Sequence, residues 1–270
     1  SRIKQVRKAS KNLAISSDDV RRDVLGTIAR ALEDNKDFLF AQNKKDLDLA
    51  LENGIKESLY HRLVFSDDKL SSVTKGLKEL QNLPDPIGKA KEKRELDDNF
   101  ILEKRTYPLG VIAMIFESRP DALVQIAGLA LRSGNGIILK GGKEATYSNR
   151  ALVKVIKDAT EKTPIGSDWI LAIESHEDVN TLLKAEGDVD LLIPRGSNAF
   201  VRFVMDNTHI PVMGHADGIC STYVDESADL DLALDVCIDA KVQYPAACNA
   251  TETFLVHSNV AKSFIPRLKK

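Results

Sequence analysis

The residue best placed for chemistry is Cys248, which lies among small residues in the segment 244–250 (YPAACNA), after a proline and before an apolar stretch. A cysteine attacks carbon as its thiolate, so a nucleophilic site needs access, a lowered pKa and nearby N–H donors. The alanines leave room for a substrate, and the amide of Asn249 offers a donor to a developing oxyanion. An inert cysteine in the core is the alternative that this spacing leaves open.

Two other segments carry groups that bind anions. The segment 193–198 (IPRGSN) ends an apolar strand and opens a helix, with Ser197 as its cap, and helix N-termini bind phosphates. An ordinary strand-to-helix turn is the alternative. In the segment 116–121 (FESRPD), the guanidinium of Arg119 suits a carboxylate or phosphate, or an anchoring pair with Asp121.

The order of these segments, together with 139–144 (LKGGKE) and 214–220 (GHADGIC), resembles the γ-glutamyl phosphate reductases. These enzymes belong to the aldehyde dehydrogenase superfamily and also form the C-terminal half of pyrroline-5-carboxylate synthases. The resemblance runs along nearly the whole chain. It implies NADPH-dependent reduction of γ-glutamyl phosphate to glutamate γ-semialdehyde through a thioester on the cysteine, in proline biosynthesis.

The resemblance also implies a cofactor site. Lys140 and Glu144, with Gly141 next to the lysine, match the residues that reach the adenosine ribose in this superfamily. Gly196 and Ser197 match a pair that faces the pyrophosphate. The ordinary GxGxxG fingerprint is absent, because the glycines of segment 134–136 (GNG) precede a strand instead of following one.

Hydrolytic aldehyde dehydrogenases carry a glutamate some thirty residues ahead of the nucleophile, and the matching segment 210–215 (IPVMGH) contains no carboxylate. The resemblance therefore favours reduction over hydrolysis. Ser118 occupies the position of the Asn that forms part of the oxyanion hole in the hydrolytic enzymes, so a hydroxyl donor is expected there. Arg119, Arg195 and His215 are expected to bind substrate, with solvated or structural roles as the alternatives.

Two other functions are weighed against this one. A hydrolytic, NAD-dependent aldehyde dehydrogenase is disfavoured by the missing glutamate, and a non-catalytic cofactor-binding fragment is the third hypothesis. Residues 95–110 match the region from which these enzymes extend an arm to a neighbouring subunit, so a homo-oligomer, dimer or tetramer, is expected. An ordinary surface hairpin is the alternative. An association with a glutamate 5-kinase is a further implication of the resemblance.

Composition narrows the classes of function and cellular setting that remain open. The chain has 270 residues, a net charge of −2 and 29% charged residues of mixed sign, which gives no basic field for nucleic acid. The longest apolar run, about 122–131, is too short to span a bilayer, so no membrane is expected. Three cysteines without a CxxC or a His/Cys cluster indicate a reducing, cytoplasmic setting and no metal site.

Hydrophobic periodicity predicts the elements that position these residues. The first ninety residues are predicted to be helical, and the rest to alternate strands with helices, which implies a parallel, doubly wound sheet. We expect a cofactor-binding domain at 1–216 and the first part of a second, catalytic α/β domain at 217–270, truncated after it begins. Strands are predicted at 100–106, 111–116, 136–140, 169–173, 189–193, 210–213, 218–225 and 253–257, with helices from about 121, 147 and 230.

Overall fold

The computed structural model describes residues 2–214, 218–245 and 249–269. The chain divides into two compact units, Ser1–Gly214 and His215–Lys270.

Helices form the N-terminal part of the first unit, as the periodicity predicts. Two of them begin at serine caps: the Ser17 hydroxyl accepts a hydrogen bond from the backbone N of Val20, and that of Ser66 from Lys69. The sequence did not separate the first and fourth helices from their neighbours. The helices are α1 (Arg2–Ala14), α2 (Asp18–Asp34), α3 (Lys36–Glu52), α4 (Glu57–Leu63) and α5 (Asp67–Asn82).

An antiparallel hairpin follows, formed by β1 (Ala90–Asp97) and β2 (Phe100–Arg105). Every residue of β1 is exposed, and the two strands pair only with each other within the described part of the chain. Residues 95–105 of the expected arm therefore lie in a hairpin whose two outer edges have no strand partner among the described residues.

Four parallel strands form the central sheet of the first unit, in the order β5-β4-β3-β6. This arrangement confirms the predicted α/β fold with a parallel sheet and N-terminal helices. The strands are β3 (Val111–Ile115), β4 (Gly136–Lys140), β5 (Ile170–Ala172) and β6 (Leu191–Pro194), and the helices between and after them are α6 (Pro120–Arg132), α7 (Thr146–Thr160), α8 (His176–Leu183) and α9 (Asn198–Asp206).

Both faces of this sheet are buried. Along β4, Ile137 and Leu139 belong to one apolar cluster, and Ile138 between them belongs to another, because successive side chains point to opposite faces. Helix α1 covers one face closely: a Cβ on Gly136 would lie 3.0 Å from atoms of Val6 and Ser10. The N-terminal helices thus pack on the sheet, and this packing fixes the positions of the carboxyl ends of its strands.

The predicted strand at 210–213 is wrong. Val212 forms only an isolated bridge to Leu192, in which Leu192 N donates to the Pro211 carbonyl at 2.9 Å and Met213 N donates back to Leu192 at 2.8 Å. Pro211 has no N–H to extend the ladder, so the alternation of apolar residues does not become a strand here.

The second unit contains two parallel strands, β7 (Cys220–Val224) and β8 (Thr251–Val256). Helices α10 (Leu230–Val242) and α11 (Ser258–Leu268) cover a small core of Val224, Cys237 and Phe264. Burial raises the pKa of the Cys237 thiol, which suits a structural rather than a reactive cysteine.

Across 2–214, 218–245 and 249–269, no helix is both long and apolar enough to cross a lipid bilayer.

Candidate functional site

The candidate site lies where the order of the parallel strands reverses. From β3 the chain moves outward to β4 and β5, and it then returns to place β6 on the other side of β3. The loops after β3 and β6 consequently diverge at the carboxyl edge and open a crevice, which is where open α/β sheets bind ligands. The loops begin side by side: Phe116 N donates to the Lys140 carbonyl at 2.9 Å, and Arg195 N to the Ile115 carbonyl at 2.7 Å.

Ser118 and Glu144 join the loops after β3 and β4. The Ser118 hydroxyl donates to Oε2 of Glu144 at 2.5 Å. This hydrogen bond is the largest of the causes that hold the pKa of Glu144 below its ordinary value, with smaller contributions from Lys140 and Lys143. The expected oxyanion role of Ser118 stays a prediction, and it would require this hydroxyl proton to leave Glu144.

Two glycines allow these loops to approach each other. A Cβ on Gly142 would overlap the Ser118 hydroxyl and lie 2.9 Å from Oε2 of Glu144. A Cβ on Gly141 would overlap the amide of Asn149 and lie 3.3 Å from the ring of Phe116. The segment 141–142, called the cradle below, is therefore packed against Asn149 and Ser118, and a side chain at either position would displace them.

Lys140 ends β4 and turns its ammonium back over this cradle, where Nζ donates to the Gly141 carbonyl at 2.7 Å. Partial burial lowers the pKa of Lys140, and the charge of Lys143 adds to this effect. A desolvated lysine next to a carboxylate in a glycine cradle can bind the hydroxyls of a sugar and the phosphate attached to it.

Asn149, in the first turns of α7, is the deepest polar side chain of the site. It is 9% exposed, and its buried Oδ1 has no hydrogen-bond partner among the described residues. With Lys140, Gly141 and Glu174 it lines a cavity of about 20 Å³, which holds no more than one water molecule. The orphaned oxygen indicates that a ligand or a water molecule completes the site.

The loop after β6 is shaped as the sequence predicts. The Ser197 hydroxyl accepts a hydrogen bond from the backbone N of Phe200 at 3.3 Å and thereby caps α9. Gly196 has a φ of +153°, which L-residues with a side chain rarely adopt. Arg195 is exposed at the start of this loop. Together they present the positive end of a helix dipole to the crevice, next to a cationic side chain.

Arg119 adopts the anchoring arrangement in this structure. Its Nη2 forms an ion pair at 2.9 Å with Oδ2 of the buried Asp121, and half of the Arg119 side chain remains exposed. The neighbouring Glu117 pairs with Arg62 on α4 at 3.0 Å. These pairs fix the loop after β3, and substrate binding by Arg119 stays a prediction.

Three predicted site residues belong to the second unit. Asn249 is exposed and lies two residues before β8. Cys248 and His215 lie outside the described residues, so their predicted roles as nucleophile and substrate ligand stay predictions. Within the part of the chain that the structure describes, no group of three or more His, Cys, Asp or Glu side chains is arranged to hold a metal ion.

The sequence did not predict that Ser118 and Glu144 are partners, nor that Asn149 and Lys143 belong to the site. Ser118 and Glu144 are 26 positions apart, and each follows a strand at the same edge of the sheet. The rule that ligands bind at the carboxyl edge of parallel strands would have placed them together once β3 and β4 were recognised as neighbours.

Comparison with known proteins gives consistent matches. The family model described as "Aldehyde dehydrogenase family" matches residues 1–270. A γ-glutamyl phosphate reductase of Acetivibrio thermocellus is 48% identical over 266 residues, which are 98% of this chain and 62% of the relative. The chain thus spans about three fifths of the length of the curated relatives it matches.

Two crystal structures named γ-glutamyl phosphate reductase also match. The Thermotoga maritima structure is 35% identical with a TM-score of 0.94, over 99% of this chain and 65% of that chain. The Saccharomyces cerevisiae structure is 41% identical with a TM-score of 0.74, over 99% of this chain and 68% of that chain.

Proposed function

The chain belongs to the aldehyde dehydrogenase family, and we propose that it takes part in the NADPH-dependent reduction of γ-glutamyl phosphate to glutamate γ-semialdehyde and phosphate. The observation that carries this proposal is its near 50% identity to relatives named γ-glutamyl phosphate reductase. The semialdehyde cyclises on the way to proline, so the proposed setting is proline biosynthesis in the cytoplasm.

The residues of the first unit fit a nicotinamide dinucleotide, the cofactor type of this family. The oxygen of Asn149 beneath the cradle is orphaned among the described residues, which leaves a polar group for a ligand to satisfy. Lys140 and Glu144 would hold the adenosine ribose, and the N-terminus of α9 after Gly196 and Ser197 would hold the pyrophosphate. The bound nicotinamide would supply the hydride that turns the acyl group into an aldehyde.

The proposed nucleophile is Cys248. Its thiolate attacks the acyl carbon, a carbon–sulfur bond forms, and the carbon–oxygen bond to phosphate breaks, which leaves a thioester on the chain. Asn249 is the proposed donor to the oxyanion, and Ser118 is a second donor that the resemblance implies. Arg119, Arg195 and His215 are the proposed ligands of the substrate. The segment 210–215 offers no carboxylate to activate water, so the thioester persists until it is reduced.

The preference for NADPH over NADH is part of the same proposal. Arg195 is exposed at the start of the loop after β6, and Lys143 is exposed next to Glu144. A cationic side chain next to the adenosine ribose would favour binding of the dinucleotide that carries a 2′-phosphate. The dissociation constants of NADPH and NADH, measured side by side, would test this preference.

The hairpin β1-β2 is the proposed interface with a second copy of the chain. It exposes Leu96, Phe100, Ile101 and Leu102, each between 48% and 64% accessible, beside strand edges that pair with no other described strand. Pairing such an edge with another subunit would satisfy its backbone groups and cover these side chains. Light scattering would show a dimer or tetramer, and a monomer would overturn this part. An association with a glutamate 5-kinase stays a prediction from the resemblance alone.

Labelling of Cys248 tests the proposed function. Iodoacetamide should modify this cysteine stoichiometrically and abolish NADPH oxidation by γ-glutamyl phosphate, and NADPH should change the rate of labelling. The buried Cys237 serves as the internal control because its exposed fraction is 0%. Full reductase activity after complete modification of Cys248 would overturn the proposal.

A further inference from the structure

We infer that Ser118 is a positioning residue for Glu144, which it holds in the orientation that binds the ribose of the dinucleotide; this inference rests on the proposed function for the identity of the ligand. It assigns Ser118 to cofactor binding instead of to the oxyanion of the reacting acyl group. The first role requires the Ser118 hydroxyl to donate its proton to Glu144, and the second requires it to donate to the acyl oxygen. Experiment can therefore separate the two roles.

The first support is geometric. Ser118 follows β3 and Glu144 follows β4, and their 2.5 Å hydrogen bond directly links the two loops at this edge. A hydroxyl has one proton to donate, and here it is directed at a carboxylate oxygen. A hydrogen bond to an ionised acceptor is short and strong, which this distance matches.

The second support is the way in which the chain makes room for the pair. Gly142 lies against both partners, and a Cβ at that position would overlap the Ser118 hydroxyl and come within 3.1 Å of the Ser118 backbone N. The lack of a side chain at Gly142 is therefore what lets Ser118 reach Glu144. A hydroxyl that served only the oxyanion of the acyl group would not require a hydrogen bond to Glu144.

The third support is electrostatic. The charges that act on Glu144 are those of Lys140 from β4 and Lys143 from its own loop, and Asp46 and Tyr147 line the same open pocket. Among the causes that lower the pKa of Glu144, the hydrogen bond from Ser118 is the largest. Ser118 thus fixes the direction of the carboxylate and stabilises its ionised form, which can accept a hydrogen bond from the free 3′-hydroxyl of the ribose.

Equilibrium titration of the purified protein with NADPH tests the inference. Ser118→Ala should raise the dissociation constant about three- to tenfold at neutral pH, the range for loss of a charge-assisted hydrogen bond at a partly exposed site. In a Glu144→Ala background, Ser118→Ala should have no further effect. The matched control is Ser227→Ala, because Ser227 donates to the Asp225 carboxylate at 2.8 Å in the second unit and should leave NADPH binding unchanged.

The pH dependence of NADPH binding is a second readout, and it would not change if the role of Ser118 were purely structural. Binding that needs ionised Glu144 is lost as pH falls through its lowered pKa. Removal of Ser118 lets that pKa rise, so the loss begins at a higher pH in Ser118→Ala. The charged neighbours of Glu144 are the same in both proteins, so they do not create this difference.

The inference is overturned if Ser118→Ala leaves the dissociation constant and its pH profile unchanged. A fall in kcat at saturating NADPH with unchanged binding would assign Ser118 to the oxyanion. The proposed function is judged by a separate readout, since its failure would appear as absent NADPH oxidation by γ-glutamyl phosphate in the unmodified protein. NADPH binding does not depend on that turnover.

Discussion

The carboxylate of Asp46 on α3 accepts hydrogen bonds from the backbone N and the hydroxyl of Ser148 on α7, at 2.7 and 2.6 Å. Its other oxygen accepts the backbone N of Tyr147 at 3.0 Å. The residue before α7, Ala145, cannot cap the helix with its side chain, so Asp46 performs this function from another helix. The loop that carries Lys140 and Glu144 leads directly into this capped N-terminus.

Replacement of Asp46 should therefore destabilise the first unit. Asp46→Ala removes a buried acceptor of three hydrogen bonds and should lower the free energy of unfolding by about 2–4 kcal/mol. Urea denaturation with an unchanged m-value would measure this loss. Asp48→Ala is the matched control, because Asp48 forms only an exposed pair with Lys44 and should cost less than about 0.5 kcal/mol. Equal losses in both variants would refute the capping role.

Gly142→Ala should weaken NADPH binding. The added methyl group overlaps the Ser118 hydroxyl, so the loops after β3 and β4 must separate and the cradle changes shape. We expect a dissociation constant at least about tenfold higher, measured by fluorescence titration. Gly76→Ala is the control: no atom lies within 4 Å of its added Cβ on α5, and it should leave binding unchanged while stabilising the helix by up to about 1 kcal/mol.

Arg150→Ala should change the acid stability of the protein. Arg150 forms two hydrogen bonds to Glu174, at 2.6 and 2.5 Å, and this contact lowers the pKa of Glu174 below its ordinary 4.5. A lowered carboxyl pKa stabilises the fold above that ordinary value, and the contribution is lost as pH falls through the folded pKa. Both side chains are more than a third exposed, so the loss at neutral pH should stay below about 1 kcal/mol.

A carboxyl-resolved NMR titration would check this prediction. The pKa of Glu174 should rise in Arg150→Ala and stay in place in Lys154→Ala, which removes an exposed pair with Asp158 one turn along the same helix. An unchanged Glu174 titration in Arg150→Ala would contradict the conclusion that Arg150 lowers the pKa of Glu174.

Elements with strong local signals were predictable from the sequence. The strand Gly136–Lys140 and the helix Leu230–Val242 lie where the apolar pattern and its flanking residues place them. Strand β1 carries the charged sequence AKEKRELD and is wholly exposed, so it lacks the alternation that marks a half-buried strand. The segment 210–213 has that alternation, yet Pro211 stops the ladder after one bridge.

The candidate site was predictable as a set of motifs but not as a set of contacts. Lys140, Glu144, Gly196 and Ser197 follow strands and precede helices, which local patterns can indicate. The link between Ser118 and Glu144 depends on β3 and β4 being neighbours, and the orphaned oxygen of Asn149 depends on how α7 packs under Gly141. Such facts follow from strand order and packing, which periodicity does not encode.

Oxidation of glutamate γ-semialdehyde by NADP⁺, measured with and without inorganic phosphate, tests most directly whether an acyl group on Cys248 is passed to phosphate and protected from water. We expect NADPH formation that requires phosphate and disappears in Cys248→Ala. Equal turnover without phosphate would contradict it and would favour a hydrolytic aldehyde dehydrogenase.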